Sequence, residues 1–142
     1  MQAQAIADKV RDVMFADDAA SKMLGMEIAE VGPGRAVVTM TVRADMLNGF
    51  AICHGGLIAT LADSAFAFAC NSRNALTVAS GFGIDILKSA KLNDVLTATA
   101  EETSLAGRTG LYDITVKNQT GELIAVFRGR SYRLAERKVF NT

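Results

Sequence analysis

The sequence predicts a single α+β domain in which one long apolar helix lies against an antiparallel sheet. Three observations lead there. Gly56 to Ser72 is an apolar run too long for a strand and opened by glycine. Stretches rich in β-branched residues with period-two alternation lie on both sides of it, among them RAVVTMTVR, LTATAEETSL and LIAVFRGRSYRL. Short turns join the strands after the helix, the mark of a meander. The 142 residues fit one domain, and half of them are hydrophobic. That length buries roughly two-thirds of the unfolded surface. We assign 1–142 to one domain, with a helical segment over 1–24 ahead of a core over 25–142.

In chain order, residues 3 to 24 read as helix with a break near Asp17 and Asp18, and Gly25 stops it. Met26 to Val31 reads as a strand, Gly32-Pro33-Gly34 as a turn, and Arg35 to Arg43 as the returning strand. Ala44 to Cys53 is a loop. After the central helix come strands over Thr77 to Ser89, Val95 to Leu105 and Thr109 to Lys117. A turn at Asn118 to Gly121 and a last strand over Glu122 to Leu134 complete the chain. A sheet of about five strands leaves edges that need covering, and edge-to-edge pairing into a dimer covers them.

Composition excludes several classes. Fifteen basic residues cancel fifteen acidic ones, so no long-range field draws nucleic acid or an anionic membrane. Two cysteines and an N-terminus without an uninterrupted apolar core suit a cytoplasmic protein. The most apolar stretch, Gly55 to Cys70, contains Asp63 and is short for a membrane span. One histidine without CxxC or HxxxH spacing argues against a metal. No GxGxxG or Walker loop is present, and GFG at Gly81 to Gly83 lies in a strand-like run.

The central helix carries the functional argument. Leu57, Ile58, Leu61, Ala62, Ala65, Phe66, Phe68 and Ala69 take up most of its circumference, so it is expected to be buried on several sides. A second stripe, Gly56, Thr60, Asp63, Ala67 and Cys70, is small and polar and follows one face. Asp63 is the only charge between His54 and Arg73. Burying an unpaired carboxylate is costly. Either Asp63 pairs with a base or faces water, or the small stripe is a cleft wall with an acid set in it for chemistry.

Ahead of the helix runs Asn48-Gly49-Phe50-Ala51-Ile52-Cys53-His54-Gly55-Gly56. Two glycines at a helix start leave N–H groups unobstructed at the positive end of the dipole, where an oxyanion can be held. Tight packing of the helix end explains the same glycines, and a bond to a loop carbonyl explains His54. Cys53 and Cys70 read as small buried hydrophobes rather than nucleophiles.

LNGFAICHGGLIATLADSAFAFACNS strongly resembles the signature of the phenylacetate-degradation thioesterases, hotdog-fold enzymes of aryl-acyl-CoA hydrolysis, including hydroxyphenylacetyl-CoA. Their pattern runs LNG-H, CHGG, then LAD-AFA-ACN. AVVTMTV, DVLTATAEE, the GRTG-YDI run and VFRGRS extend the likeness over roughly Ala16 to Tyr132. The resemblance implies a sheet wrapped around one helix and dimers with a continuous sheet, commonly paired into tetramers. It implies Asp63 as the catalytic carboxylate, Gly55 as the donor to the thioester carbonyl, and His54 and Asn48 as the polar pair that shapes the site. It implies no cofactor, coenzyme A being part of the substrate. Phe50 stands where the family usually has histidine, and Lys88-Ser89-Ala90 where many relatives carry Arg-Pro.

One consequence needs no family. Gly55 and Asp63 lie eight helical residues apart, about 12 Å of rise. A carboxylate cannot cross that to reach a carbonyl held at Gly55. If both serve one thioester, they come from different subunits. Asp63 then activates water or attacks directly. Phe50, Gly56, Thr60 and Cys70 are the candidate substrate-lining residues. Lys88, Lys91, Arg108 with Thr109, Arg128 and Arg130 are the candidate phosphate partners. A dehydratase or hydratase and a non-catalytic acyl-CoA-binding protein are the alternatives. The first needs a histidine acid–base pair, and the second releases no thiol.

Overall fold

The computed structural model describes residues 1–141. Two helices open the chain, α1 (Ala3–Ala16) and α2 (Ala19–Met23). They are separated at Asp17 and Asp18 as the sequence predicts. Asp18 caps α2 by accepting from the Ser21 N–H at 3.0 Å, which stops α1 from continuing. A hairpin of β1 (Glu27–Gly32) and β2 (Arg35–Thr41) follows, then a loop, then the long helix α3 (Gly55–Cys70). Strands β3 (Thr77–Ile86), β4 (Val95–Ala106), β5 (Thr109–Lys117) and β6 (Leu123–Arg133) end the fold.

All strands form one antiparallel sheet in the order β1-β2-β4-β5-β6-β3. The sheet has six strands rather than about five, because the first hairpin joins the meander through the β2–β4 pairing. The sheet wraps α3, whose Ile58, Leu61, Ala62, Ala65, Phe66, Phe68 and Ala69 are buried. Leu57 is only partly buried, at the edge of that core. Phe66 packs its ring on Tyr112 and Phe127, and a Cβ on Gly129 would lie 2.7 Å from it. Gly129 is therefore the gap in β6 that admits the helix.

Boundaries differ from the sequence reading for identifiable reasons. Helix α3 stops at Cys70 rather than Ser72. The Asn71 side chain donates to the Ala67 and Thr77 carbonyls and accepts from the Thr77 N–H, which turns the chain into β3. Strand β3 stops at Ile86 rather than Ser89, where the Leu87 and Lys88 N–H groups both donate to the Ile124 carbonyl.

The two sheet edges are treated differently. α1 lies along β1, with the Gln4 amide donating to the Val31 carbonyl at 2.8 Å. β3 is the other edge and carries Val78, Phe82 and Ile86, 43 %, 47 % and 45 % exposed. An uncovered apolar strand edge is a template for another strand.

Candidate active site

α3 sets Asp63 on the stripe that also holds Ala67 and Cys70. Asp63 is partly buried and makes no hydrogen bond or ion pair among the described residues. It lines a cavity of about 330 Å³ with Phe66, Ala67, Cys70, Val78 and Ala79. Met14 from α1 and Val139 from the C-terminal segment complete its wall. Burial, then the charge of Asp18, pushes the Asp63 carboxyl above its ordinary value. Pairing with a base, one of the alternatives the sequence leaves open, is not what the structure shows. Cys70 lines the same cavity, and burial pushes its thiol up to about 12. It is no nucleophile at neutral pH.

The helix start is built as an N-terminal donor site. The His54 carbonyl accepts the first intrahelical bonds, from Leu57 and Ile58. Among the described residues the Gly55 and Gly56 N–H groups have no acceptor, as the first turn of a helix dictates. A Cβ on Gly55 would meet Ile86 Cδ1 at 2.8 Å, while one on Gly56 would meet nothing. Packing thus accounts for Gly55 as well as donor access does. His54 is exposed, and its own N–H donates to the Met46 carbonyl at 2.9 Å.

Asn48 organises the loop ahead of this turn. Its Oδ1 accepts from the Phe50 N–H at 2.9 Å and the Ile52 N–H at 3.4 Å. That leaves only its Nδ2 for a ligand. Phe50 is 87 % exposed. Thr60 spends its hydroxyl proton on the Gly56 carbonyl at 2.8 Å.

The phosphate candidates do not gather. Lys88 pairs with Glu122 at 2.9 Å, and Lys88 and Lys91 line a groove with Asn118 and Glu122, away from Asp63. Arg128 pairs with Asp113 through Nε at 2.8 Å and Nη2 at 3.1 Å. Both Arg128 and Arg130 are exposed, alternating with the buried Phe127, Gly129 and Ser131 that face the helix. Thr109 bonds the Ala106 carbonyl. Arg108 alone sits near the Asp63 cavity. It lines a neighbouring cavity of about 200 Å³ with Cys70, Arg73, Thr77, Tyr112 and Arg133, and Cys70 and Thr77 are common to both. The Arg133 Nε there is buried and has no hydrogen-bond partner among the described residues.

Sequence reasoning missed Met14, Val78, Ala79 and Val139 as cavity walls. It also missed the Arg73–Glu102–Tyr112 network, with Arg73 to Glu102 at 2.6 Å and the Tyr112 hydroxyl to Glu102 at 2.9 Å. Among the described residues no group of His, Cys, Asp or Glu is placed to hold a metal. No helix there is long and apolar enough to cross a membrane.

Comparison with known proteins places this architecture. The thioesterase superfamily model matches residues 50–125, which include the glycine turn, all of α3 and Asp63. The acyl-coenzyme A thioesterase PaaI of Escherichia coli is 49 % identical over 121 residues, covering 85 % of this chain and 86 % of that protein. The solved structure of the E. coli PaaI protein from the phenylacetic acid degradation operon superposes with a TM-score of 0.94 at 44 % identity. It covers 96 % of this chain and 99 % of that one. A Streptococcus mutans protein solved bound to acetyl CoA superposes at 0.76 with 28 % identity, covering 80 % of this chain and 91 % of its own. With a helix-wrapping antiparallel sheet of the hotdog type and matches of this extent, the chain belongs to the thioesterase superfamily.

Proposed function

We propose that this protein hydrolyses acyl-CoA thioesters, with phenylacetyl-CoA and its ring-hydroxylated forms as the substrate class, releasing coenzyme A and the free acid in aromatic degradation. The observation that carries the reading is Asp63, an unpaired carboxylate on the wall of a largely apolar cavity. A cavity of about 330 Å³ suits an aryl-acetyl group, and burial, which raises the proton affinity of Asp63 above the ordinary carboxylate value, suits it to take a proton from water. The likeness to an acyl-coenzyme A thioesterase supports the substrate's CoA half.

The site is shared between two copies. Within one chain Gly55 packs on Ile86, at one end of β3, while the Asp63 cavity is lined by Val78 and Ala79 at the other. Antiparallel pairing of the free β3 edge with its copy, about a two-fold axis near Phe82, brings the Ile86 end of one strand to the Val78 end of the other. The second copy's Gly55 N–H then approaches the first copy's Asp63. The same pairing covers Val78, Phe82 and Ile86 and brings a second Phe50 towards the cavity. Such dimers pair further into tetramers.

In that arrangement the thioester carbonyl accepts from the Gly55 N–H, backed by the helix dipole. Asp63 removes a proton from water, whose oxygen bonds to the carbonyl carbon. The C–S bond breaks on collapse, and the thiolate leaves as CoA and takes up a proton. Direct attack by Asp63 gives a mixed anhydride that water then opens, and ¹⁸O-water distinguishes the routes by label in Asp63 after one turnover. His54 and Asn48 Nδ2 shape the carbonyl pocket, and Gly56, Thr60 and Cys70 line the acyl side. Arg108, with Thr109, is the first phosphate contact. Lys88 and Arg128 must leave Glu122 and Asp113 before serving that role. No cofactor takes part, and the protein works in the cytoplasm.

Thiol release from phenylacetyl-, hydroxyphenylacetyl-, benzoyl- and aliphatic CoA esters tests the reading. Aryl-acetyl esters turn over fastest, and Asp63→Asn falls to background. An Asp63→Asn protein with unchanged turnover would overturn it.

A further inference from the structure

The helical segment ahead of the core is joined to the neighbour of Asp63 by a chain of hydrogen bonds. Asp18, at the corner between α1 and α2, accepts from the Ser21 hydroxyl at 2.7 Å and from the Ser21 N–H at 3.0 Å. The Ser21 and Ser64 hydroxyls lie 2.8 Å apart. Ser21 is only 1 % exposed, one of few buried polar side chains, and Asp18 is partly buried. Ser64 follows Asp63 on α3. Ser21 bridges Asp18 and Ser64, and breaking either of its bonds leaves its buried hydroxyl short of a partner.

We propose that Asp18 is a positioning residue for the reaction: clamped through Ser21 to Ser64, it docks the α1–α2 corner on the catalytic helix and holds a second negative charge beside the Asp63 cavity. The same docking sets Met14 of α1 in the wall of that cavity. The charge of Asp18 acts to raise the proton affinity of Asp63, behind burial. Among the described residues no charge lining the cavity opposes it. Leu76 ahead of β3, Thr77, Val78 and Ala79 of β3, and Val139 of the C-terminal segment are all uncharged. Cys70 on the same helix is held neutral by burial. In the shared site the second copy's His54 accompanies its Gly55, and it is the same in every variant compared. The N-terminal segment, which lies outside the residues matched by the family model, thus adds to the upward shift that burial gives the carboxylate.

This inference rests on Asp63 as the catalytic carboxylate. Its test is the pH profile of kcat/KM for Asp18→Asn and Asp18→Glu. Asparagine keeps the helix cap and an acceptor for Ser21 but removes the charge. The expected result is an acid limb moved to lower pH in Asp18→Asn, with kcat/KM above that of the unchanged protein on the acid side. The Asp18→Glu limb stays in place. A ¹³C-carboxyl NMR titration of Asp63, read against Asp63→Asn, shows the same downward movement without relying on turnover, and Asp18→Ser serves if Asp18→Asn folds poorly. An Asp63 titration unmoved by loss of the charge overturns the proposal while leaving the catalytic reading intact. Turnover that survives Asp63→Asn removes the reading beneath it.

Discussion

Gly55 lies against Ile86 so closely that a Cβ on the glycine would come within 2.8 Å of the isoleucine Cδ1. The contact ties the amide-bearing start of α3 to the far end of the exposed strand β3. Whatever pairs with that strand therefore receives the helix start of this chain along with it.

Asp63 is costly where it stands, since burial and the Asp18 charge oppose its ionisation. Its folded proton affinity is raised, so the destabilisation is present above the folded value and fades as pH falls towards the ordinary carboxylate value. Asp63→Asn is expected to abolish turnover and to raise stability by about 0.5–2 kcal/mol at neutral pH. The gain disappears at acid pH. Urea unfolding at two pH values, beside thiol release, checks both halves.

The Arg73–Glu102–Tyr112 network is structural, and its pH dependence runs the opposite way. Burial raises Glu102, but hydrogen bonds from Arg73 and Tyr112 outweigh it and hold the carboxyl below its ordinary value. The stabilisation is complete above that ordinary value and is lost as pH falls through the folded one. Tyr112→Phe is expected to cost about 1 kcal/mol at pH 7 and less at low pH. Denaturant midpoints across the acid range measure this.

Cys70 faces the substrate cavity, yet burial pushes its thiol up to about 12, and burial also pushes Cys53 up. Native protein at pH 7 is expected to resist iodoacetamide at both cysteines and to react once unfolded. Mass spectrometry after timed alkylation reads the difference.

The β3 edge carries Phe82, stacked on Phe127 at a centroid distance of 4.7 Å. Phe82→Asp is expected to place a charge in the paired edge, give monomers in sedimentation velocity and remove turnover, with far-ultraviolet circular dichroism unchanged.

The features legible in the sequence are those that local pattern controls. The break at Asp17 and Asp18 follows from capping chemistry, and the run from Gly56 onward announces a buried helix. Asp63 stood out because no other charge shares that run. Long-range pairing hid the rest. Lys88 and Arg128 read as free cations until the fold set Glu122 and Asp113 against them. Asn48, a site residue by resemblance, also holds the loop through its Oδ1, a bond no local pattern announces. Met14 and Val139 come from opposite ends of the chain, and no spacing rule joins them at Asp63. A sheet of six strands rather than about five followed from β2 pairing across the helix with β4.

Subunit mixing addresses the shared site most directly. Gly55→Pro removes one N–H at the first helical position, where the backbone tolerates proline, His54 already having the extended backbone that precedes proline (φ −56°, ψ 130°). Its Cβ displaces the Ile86 side-chain end that it would meet at 2.8 Å, so circular dichroism must first show the variant folded. Asp63→Asn removes the carboxylate alone. Each protein by itself is expected to be inactive. After exchange of subunits, confirmed by native mass spectrometry, half of the dimers hold one intact site, and about a quarter of the original thiol release returns. Mixed dimers that form and stay inactive would contradict a carboxylate and an amide supplied by different copies.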